Sequence, residues 1–187
     1  GNHSLASAKR YWEQRKAGLS ADEAKNDPAR YALVELVNLH SDALRFEPVH
    51  RLVKGTDLNE ITESFRVFLK ERGMDLAGGG DLRFVSGKEE LAFAVENRGQ
   101  RLPVSVLQEF LDDFTASRDG IVLDYIHGDA DLRELSSSDG AVGILLCALD
   151  KYSLFPGIRA GGHLPRKTFS MGEAREKRYY MECRKIR

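Results

Sequence analysis

Gly120-Ile-Val-Leu-Asp-Tyr-Ile126 runs directly into His127-Gly-Asp-Ala-Asp131, and the fold class turns on this stretch. The first seven residues are rich in β-branched and apolar side chains and predict a strand. Gly128 then supplies a tight turn, and Asp131 with Glu134 has the spacing of a helix-capping box. Together with the apolar run Ala141–Leu149 that follows, this predicts an α/β or α+β protein. The expected architecture is a mixed β-sheet of roughly six or seven strands with helices packed on its faces. The same stretch puts ionisable groups at the carboxyl end of a strand, where ligands of α/β sheets commonly sit. His127 and Asp129 are therefore the candidate catalytic residues, an imidazole general base beside a carboxylate that orients it. The competing reading is a plain turn.

Working outward, Asp57 with Glu60 starts a helix whose Leu58, Ile61, Phe65, Phe68 and Leu69 form one apolar stripe. Leu82–Phe84 and Leu91–Val95 alternate about Ser86-Gly87, as a hairpin does, while Gly78-Gly-Gly80 reads as a flexible connector. Pro103 opens a helix with Val104, Leu107, Phe110, Leu111 and Phe114 on one side. Tyr31–Leu39 is almost continuously apolar and reads as a strand covered on both faces. A further strand, Ala43–Val53, contains Pro48, the mark of an edge or a bulge. His50 and Arg51 in that strand are ligand-binding candidates. They point to opposite faces, so at most one of them is expected to be buried. Ser4 reads as the cap of a first helix that Gly18 ends, and Arg178–Ile186 as a last strand.

At 187 residues, 42% hydrophobic and 30% charged with a net charge of −1, the chain has an ordinary globular composition. That charge balance argues against a dedicated nucleic-acid binder. The longest apolar run, Ala141–Leu149, is too short to span a bilayer, so a cytoplasmic protein with no membrane partner is expected. Cys147 and Cys183 lie in separate apolar segments and read as reduced core thiols. The histidines share no metal-ligand spacing, so no metal site is expected. No serine-hydrolase, Walker or dinucleotide-binding signature is present.

Polar groups of several kinds concentrate in His163–Ala174. Arg166, Lys167, Thr168 and Ser170 offer guanidinium, ammonium and hydroxyl donors that can converge on phosphate or carboxylate oxygens. Asn2, His3 and Ser4 form a second candidate half-site, because unpaired N–H groups and the macrodipole at a helix start favour an anion. The competing reading is simple capping in one place and a solvated connection in the other.

Gly1–Lys9, Pro28–His40, Phe46–Arg51, Asp124-Tyr-Ile-His-Gly128, Asp150-Lys151 and Leu164–Ala174 occur in order along essentially the whole chain. This series resembles the domain-of-unknown-function family numbered 1015. The resemblance implies a longer, mostly bacterial protein of which this chain is the C-terminal part. On that basis, residues 1–18 are expected to form a helix belonging with a missing N-terminal half, and residues 19–187 a single mixed α/β domain. The chain is more distantly similar to the ParB-like and free-serine-kinase superfamily, in which a Gly-x-x-Arg box at a helix start helps hold nucleotide phosphates. Gly1-Asn2-His3-Ser4 resembles that box, with Ser4 where arginine is expected, which removes a bidentate phosphate donor.

The expected function is binding of a small anionic ligand, such as a nucleotide with magnesium, and kinase-like phosphotransfer by the full-length protein. The fragment alone is expected to be inactive. The alternative is a non-catalytic regulatory or interaction module. In that case the Arg166-Lys167 segment pairs with a carboxylate of the missing half, or of the twin subunit of a homodimer.

Overall fold

In chain order the computed structural model, which describes residues 2–172 and only the backbone of Asn2, carries thirteen α-helices and strands, besides two short 3-10 turns at Pro28–Arg30 and Lys151–Ser153. They are α1 (Asn2–Lys16), α2 (Ala21–Asn26), β1 (Phe46–Pro48), β2 (His50–Lys54), α3 (Leu58–Glu71), β3 (Asp75–Ser86) and β4 (Glu89–Glu96). After these come α4 (Pro103–Ala116), β5 (Val122–Ile126), α5 (Asp129–Leu135), β6 (Ala141–Leu146), α6 (Leu154–Gly161) and β7 (Phe169–Met171). The chain divides into two compact units, Gly1–Asn38 and Leu39 onward. The strand expected at Arg178–Ile186, with Cys183, lies outside the described residues.

In the first unit α1 already begins at Asn2, so Ser4 sits inside the first turn and is not the cap. Ser20 caps α2 through a complete capping box: its Oγ accepts from Glu23 N–H, and the Glu23 carboxylate accepts from Ser20 N–H at 2.9 Å. The strand expected at Tyr31–Leu39 is not formed. Residues 31–38 have no regular secondary structure, and Leu33 and Leu36 are fully exposed. An apolar run expresses a tendency to be buried, but a strand also needs a partner backbone. No strand pairs with this run among the described residues.

The second unit is built on a five-stranded sheet of order β4-β3-β6-β2-β5, in which every pairing is antiparallel. The α/β or α+β expectation is met, with helices on both faces. Period-two alternation sends Val53, Phe84, Val142 and Ile144 to one face, against Ile61, Phe65 and Phe68 of α3 and Leu107, Phe110 and Leu111 of α4. It sends Leu52, Val85 and Leu145 to the other face, under Leu132 of α5. Asp57 caps α3 by accepting from Glu60 N–H at 2.9 Å, and α4 starts with Pro103 at its first position. The Gly78–Gly80 run is not a connector but the interior of β3, at a register shift between Gly78 and Leu82. Gly80 has φ +119°, and a Cβ there would lie 2.6 Å from that of Ala94, so this bulge requires glycine.

A separate two-stranded ladder joins β1 to β7, with Glu47 opposite Ser170 and Pro48 opposite Phe169. The Phe46 and Phe169 rings stack across it at 4.0 Å between centroids. The His163–Ala174 segment is thus in part a paired strand, not a free loop. Cys147, expected in the core, lies just beyond the end of β6 and is an exposed free thiol.

Candidate functional site

Antiparallel pairing decides which chemical groups meet. His50 is opposite Ile126 in the β2–β5 ladder, so the start of β2 and the end of β5 share one edge of the sheet. The chain therefore leaves β5 as His127-Gly128-Asp129 beside His50. Gly128 turns it at φ +89° and precedes the first residue of α5. The capping box expected from Asp131 and Glu134 is absent: Gly128 is the cap residue and no side chain caps the helix. The β1–β7 ladder closes the surroundings. A cavity of about 270 Å³ results, lined by Glu47, Pro48, His50, His127, Gly128, Asp129 and Gly172.

His50 is 1% exposed, and both of its ring nitrogens are engaged. Nδ1 accepts the backbone N–H of Leu146 at 3.1 Å, while Nε2 lies 2.9 Å from Asp129 Oδ1. A nitrogen that accepts an N–H carries no proton, so the neutral ring has its hydrogen on Nε2 and donates it to Asp129. The other carboxylate oxygen, Oδ2, is 3.9 Å from Arg83 Nη2. Asp129 itself is 58% exposed, so a held carboxylate faces solvent. The expected pairing of this carboxylate with an imidazole occurs, but the imidazole is that of His50, a role the sequence reading did not assign it.

Burial lowers the pKa of His50 below its ordinary value of 6.5, against the opposing pull of Asp129. Protonating Nδ1 would also break the bond from Leu146. The unfolded chain therefore binds the extra proton more readily, and stability should be complete above pH 6.5 and decline as the pH falls below it. Urea midpoints should drop between about pH 7.5 and pH 5.5, and drop less in His50→Gln. Equal drops in the two proteins would remove His50 as the cause.

Arg51, on the opposite face of β2, is 0% exposed, so both neighbours are buried where one at most was expected. The reason is that α5 covers one face of this strand and α4 the other. The Arg51 guanidinium donates to Gln108 Oε1 at 2.9 Å, to the Val49 carbonyl at 2.6 Å and to the Arg166 carbonyl at 3.4 Å. It lies 4.6 Å from the centroid of the Tyr125 ring. Burial lowers its pKa to about 10, which leaves it charged at neutral pH. No carboxylate forms an ion pair with it among the described residues.

Arg166 flanks the same ring from 5.5 Å, donates from Nε to the Tyr125 hydroxyl at 2.8 Å, and stands 3.8 Å from Asp112. Neither arginine lines the 270 Å³ cavity. Thr168 and Ser170 are buried and turn their hydroxyls to local carbonyls, Thr168 to Pro165 at 2.7 Å and Ser170 to Gly172 at 3.3 Å. Lys167 is exposed, with φ +56°. The donors of this segment are therefore spread over separate surroundings and not gathered at one anion. Asn2, His3 and Ser4 belong to the first unit. Of the expected residues, the fold gathers His50, His127 and Asp129 at one cavity and adds Glu47, which the sequence reading passed over. Its register opposite Ser170 is a long-range pairing with no local signature.

The family model described as Protein of unknown function (DUF1015) matches residues 1–139. Among solved structures, a mutant free serine kinase in complex with AMP is similar with a TM-score of 0.54 at 19% identity, over 74% of this chain and 58% of that one. A mutant free serine kinase in complex with ADP gives 0.53 at 19% identity, again over 74% and 58%. A conserved hypothetical protein from Pyrococcus furiosus gives 0.54 at 14% identity, over 75% of this chain and 61% of that one. At these identities the likeness is one of fold. The chain spans 58% of the length of the kinase structures. No curated protein matches.

Proposed function

We propose, from the premise that the chain belongs to the family of proteins of unknown function DUF1015, that it binds a small anionic ligand of the nucleotide class and that the full-length protein is a phosphotransferase. The observation that supports this most is the Asp129 carboxylate, held on one oxygen by a buried neutral imidazole, within 3.9 Å of Arg83 on the other, and part of the lining of a cavity. Such a group is positioned to take a proton. In the reaction proposed, a substrate hydroxyl oxygen attacks the terminal phosphorus of the nucleotide. The new O–P bond forms as the bridging O–P bond breaks, the nucleotide leaves with one phosphate fewer, and the hydroxyl proton passes to Asp129. His50 positions Asp129 and does not itself exchange the proton, because its Nδ1 is committed to Leu146. Likeness of fold to structures solved with AMP and ADP supports the nucleotide class.

Magnesium suits a wall that offers carboxylates, since it is held by one or two of them together with phosphate oxygens. Glu47 would hold it, and its charge would neutralise the phosphates. Arg83 and Arg133 are the cations tied to the same region through Asp129 and Glu90.

Isothermal titration of the full-length protein with ATP, ADP and CTP, each with and without magnesium, is the test. Heat with at least one nucleotide is expected, and Asp129→Asn should retain that binding while losing transfer. The absence of heat with all three would overturn the nucleotide reading. The second reading, a regulatory or interaction module, has its own observation: Arg166 already pairs with Asp112 and Tyr125. If Arg166→Ala lowers thermal stability and leaves nucleotide heat unchanged, this segment is a brace and not a ligand site.

A further inference from the structure

Asp129 and Arg133 stand one turn apart on α5, and both meet charged residues of the β3–β4 hairpin. Alternation along β3 puts Arg83 on the face that also carries Val85, in register with Leu145 of β6 and Ala92 of β4. Glu90, two positions before Ala92, shares that face. Asp129, Arg83, Glu90 and Arg133 thus form a ring of alternating charge beside the His50–Asp129 cavity. Only one of its contacts is short: Arg133 Nη1 lies 2.8 Å from Glu90 Oε2. Arg83 is loosely held, with Nη1 3.7 Å from Glu90 and Nη2 3.9 Å from Asp129. Its side chain is partly exposed, and its guanidinium donates no hydrogen bond among the described residues. Arg72, at the end of α3, is the opposite case. Its donors lie 3.2 Å from Glu109, 3.2 Å from Asp113 and 3.3 Å from the Phe68 carbonyl, and it sits 3.7 Å from the centroid of the Phe68 ring. Recruiting Arg72 would break all of these contacts, whereas recruiting Arg83 breaks no hydrogen bond. Its planar donor fork is therefore open to an oxyanion arriving from solvent, next to the carboxylate proposed to take a proton.

We propose that Arg83 is a catalytic residue of this site, donating to the non-bridging oxygens of the phosphoryl group in transfer while Asp129 takes the proton; the assignment rests on the phosphotransfer reading of the same site. Arg83 Nη2 and Asp129 Oδ2 are 3.9 Å apart. A substrate hydroxyl about 2.7 Å from Oδ2 and a phosphoryl oxygen about 2.9 Å from Nη2 can then belong to one attacking pair. The hydroxyl oxygen bonds to phosphorus, the bridging oxygen leaves with the nucleotide, and the hydroxyl proton goes to Asp129. Charge on the non-bridging oxygens meets a donor fork that is already in place. The ring as a whole is neutral, with Glu90 matched by Arg133. The phosphoryl group therefore enters by replacing Asp129 as the partner of Arg83, not by joining a positive patch.

Tripolyphosphate, which carries neither base nor sugar, is the probe, titrated calorimetrically into the full-length protein. Arg83→Met should weaken its binding by about ten- to hundredfold, the loss of a charge-assisted bond. The melting temperature should hardly change, because no hydrogen bond of the folded chain goes with the guanidinium. Arg83→Lys keeps the charge without the fork and should fall between the two. Arg72→Met makes the same charge change at an arginine that is already committed, and should bind tripolyphosphate as the native protein does. Phenylglyoxal should modify Arg83 in the free protein, and tripolyphosphate should slow that labelling, followed by peptide mass; this readout needs no variant to fold. No binding of tripolyphosphate, native-like binding of it by Arg83→Met, or an unprotected Arg83 would each overturn the assignment. Nucleotide heat that Arg83→Met leaves unchanged would overturn it too, and would leave the nucleotide reading standing. Arg83-dependent binding of tripolyphosphate without heat from ATP, ADP or CTP would support it and sink the nucleotide reading alone.

Discussion

Phe65→Ala should cost about 3–5 kcal/mol of folding stability, the range for emptying an aromatic site in a core. Phe65 is fully buried, and its ring centroid lies 4.9 Å from that of Phe110, 5.9 Å from Phe84 and 6.4 Å from Phe68. It therefore joins α3, α4 and β3 at a single point. Loss of the ring removes apolar burial and leaves a void that three elements would have to close together. For a domain of this size the melting temperature should fall by about 6–20 °C. Phe65→Leu keeps most of the volume and should cost less than about 1.5 kcal/mol. Urea unfolding of the two variants checks both figures. A loss below about 1 kcal/mol for Phe65→Ala would show that the helix pair collapses onto the sheet without this contact.

Arg51→Ala is expected to be nearly as damaging, at about 3–5 kcal/mol, by another mechanism. Truncation leaves Gln108 Oε1 and the carbonyls of Val49 and Arg166 without their donor, and opens a gap beside Tyr125. Burying a cation with no carboxylate partner is itself unfavourable, so removing the charge returns part of that loss. The balance can be read from Arg51→Met, which fills the space and carries no charge. It should be milder than Arg51→Ala by about 1–2 kcal/mol. Lysine cannot reach three acceptors from one ammonium on a flexible stem, so Arg51→Lys should lie near the alanine variant. Thermal and urea melts of the three proteins give the order. An alanine variant within about 1 kcal/mol of the native protein would show that water replaces the guanidinium without penalty.

Much of the fold was legible because its elements announce themselves locally. The Leu58–Leu69 stripe, the start of a helix at Pro103, the turn at Gly87 and the β5–turn–α5 unit all follow from spacing within about a dozen residues. Misreadings came where the decisive contact is distant in the chain. Tyr31–Leu39 looks like a buried strand, yet nothing within the run supplies the neighbouring backbone a strand requires. Gly78–Gly80 has the composition of a hinge, but a bulge in β3 passes closely over Ala94, sixteen positions from Gly78. The polar residues from Arg166 to Ser170 look like one anion cradle. Pairing of β7 with β1 and the pull of Tyr125, Asp112 and local carbonyls distribute them instead.

The candidate site shows the same division. That ionisable groups would stand where β5 turns into α5 was written in residues 120–131, since alternation, a glycine and acidic residues at a helix start are local signals. That Asp129 would be held by His50 was not: the two are 79 positions apart and meet only because β2 and β5 run antiparallel in one register. By itself the sequence determined the helices, the hairpin and the α/β or α+β class, through side-chain periodicity that depends on near neighbours alone. Tertiary structure decided which faces were covered twice, so that His50 and Arg51 are both enclosed, and which imidazole met which carboxylate. Those outcomes depend on strand order and register, and strand order and register are properties of the folded chain as a whole.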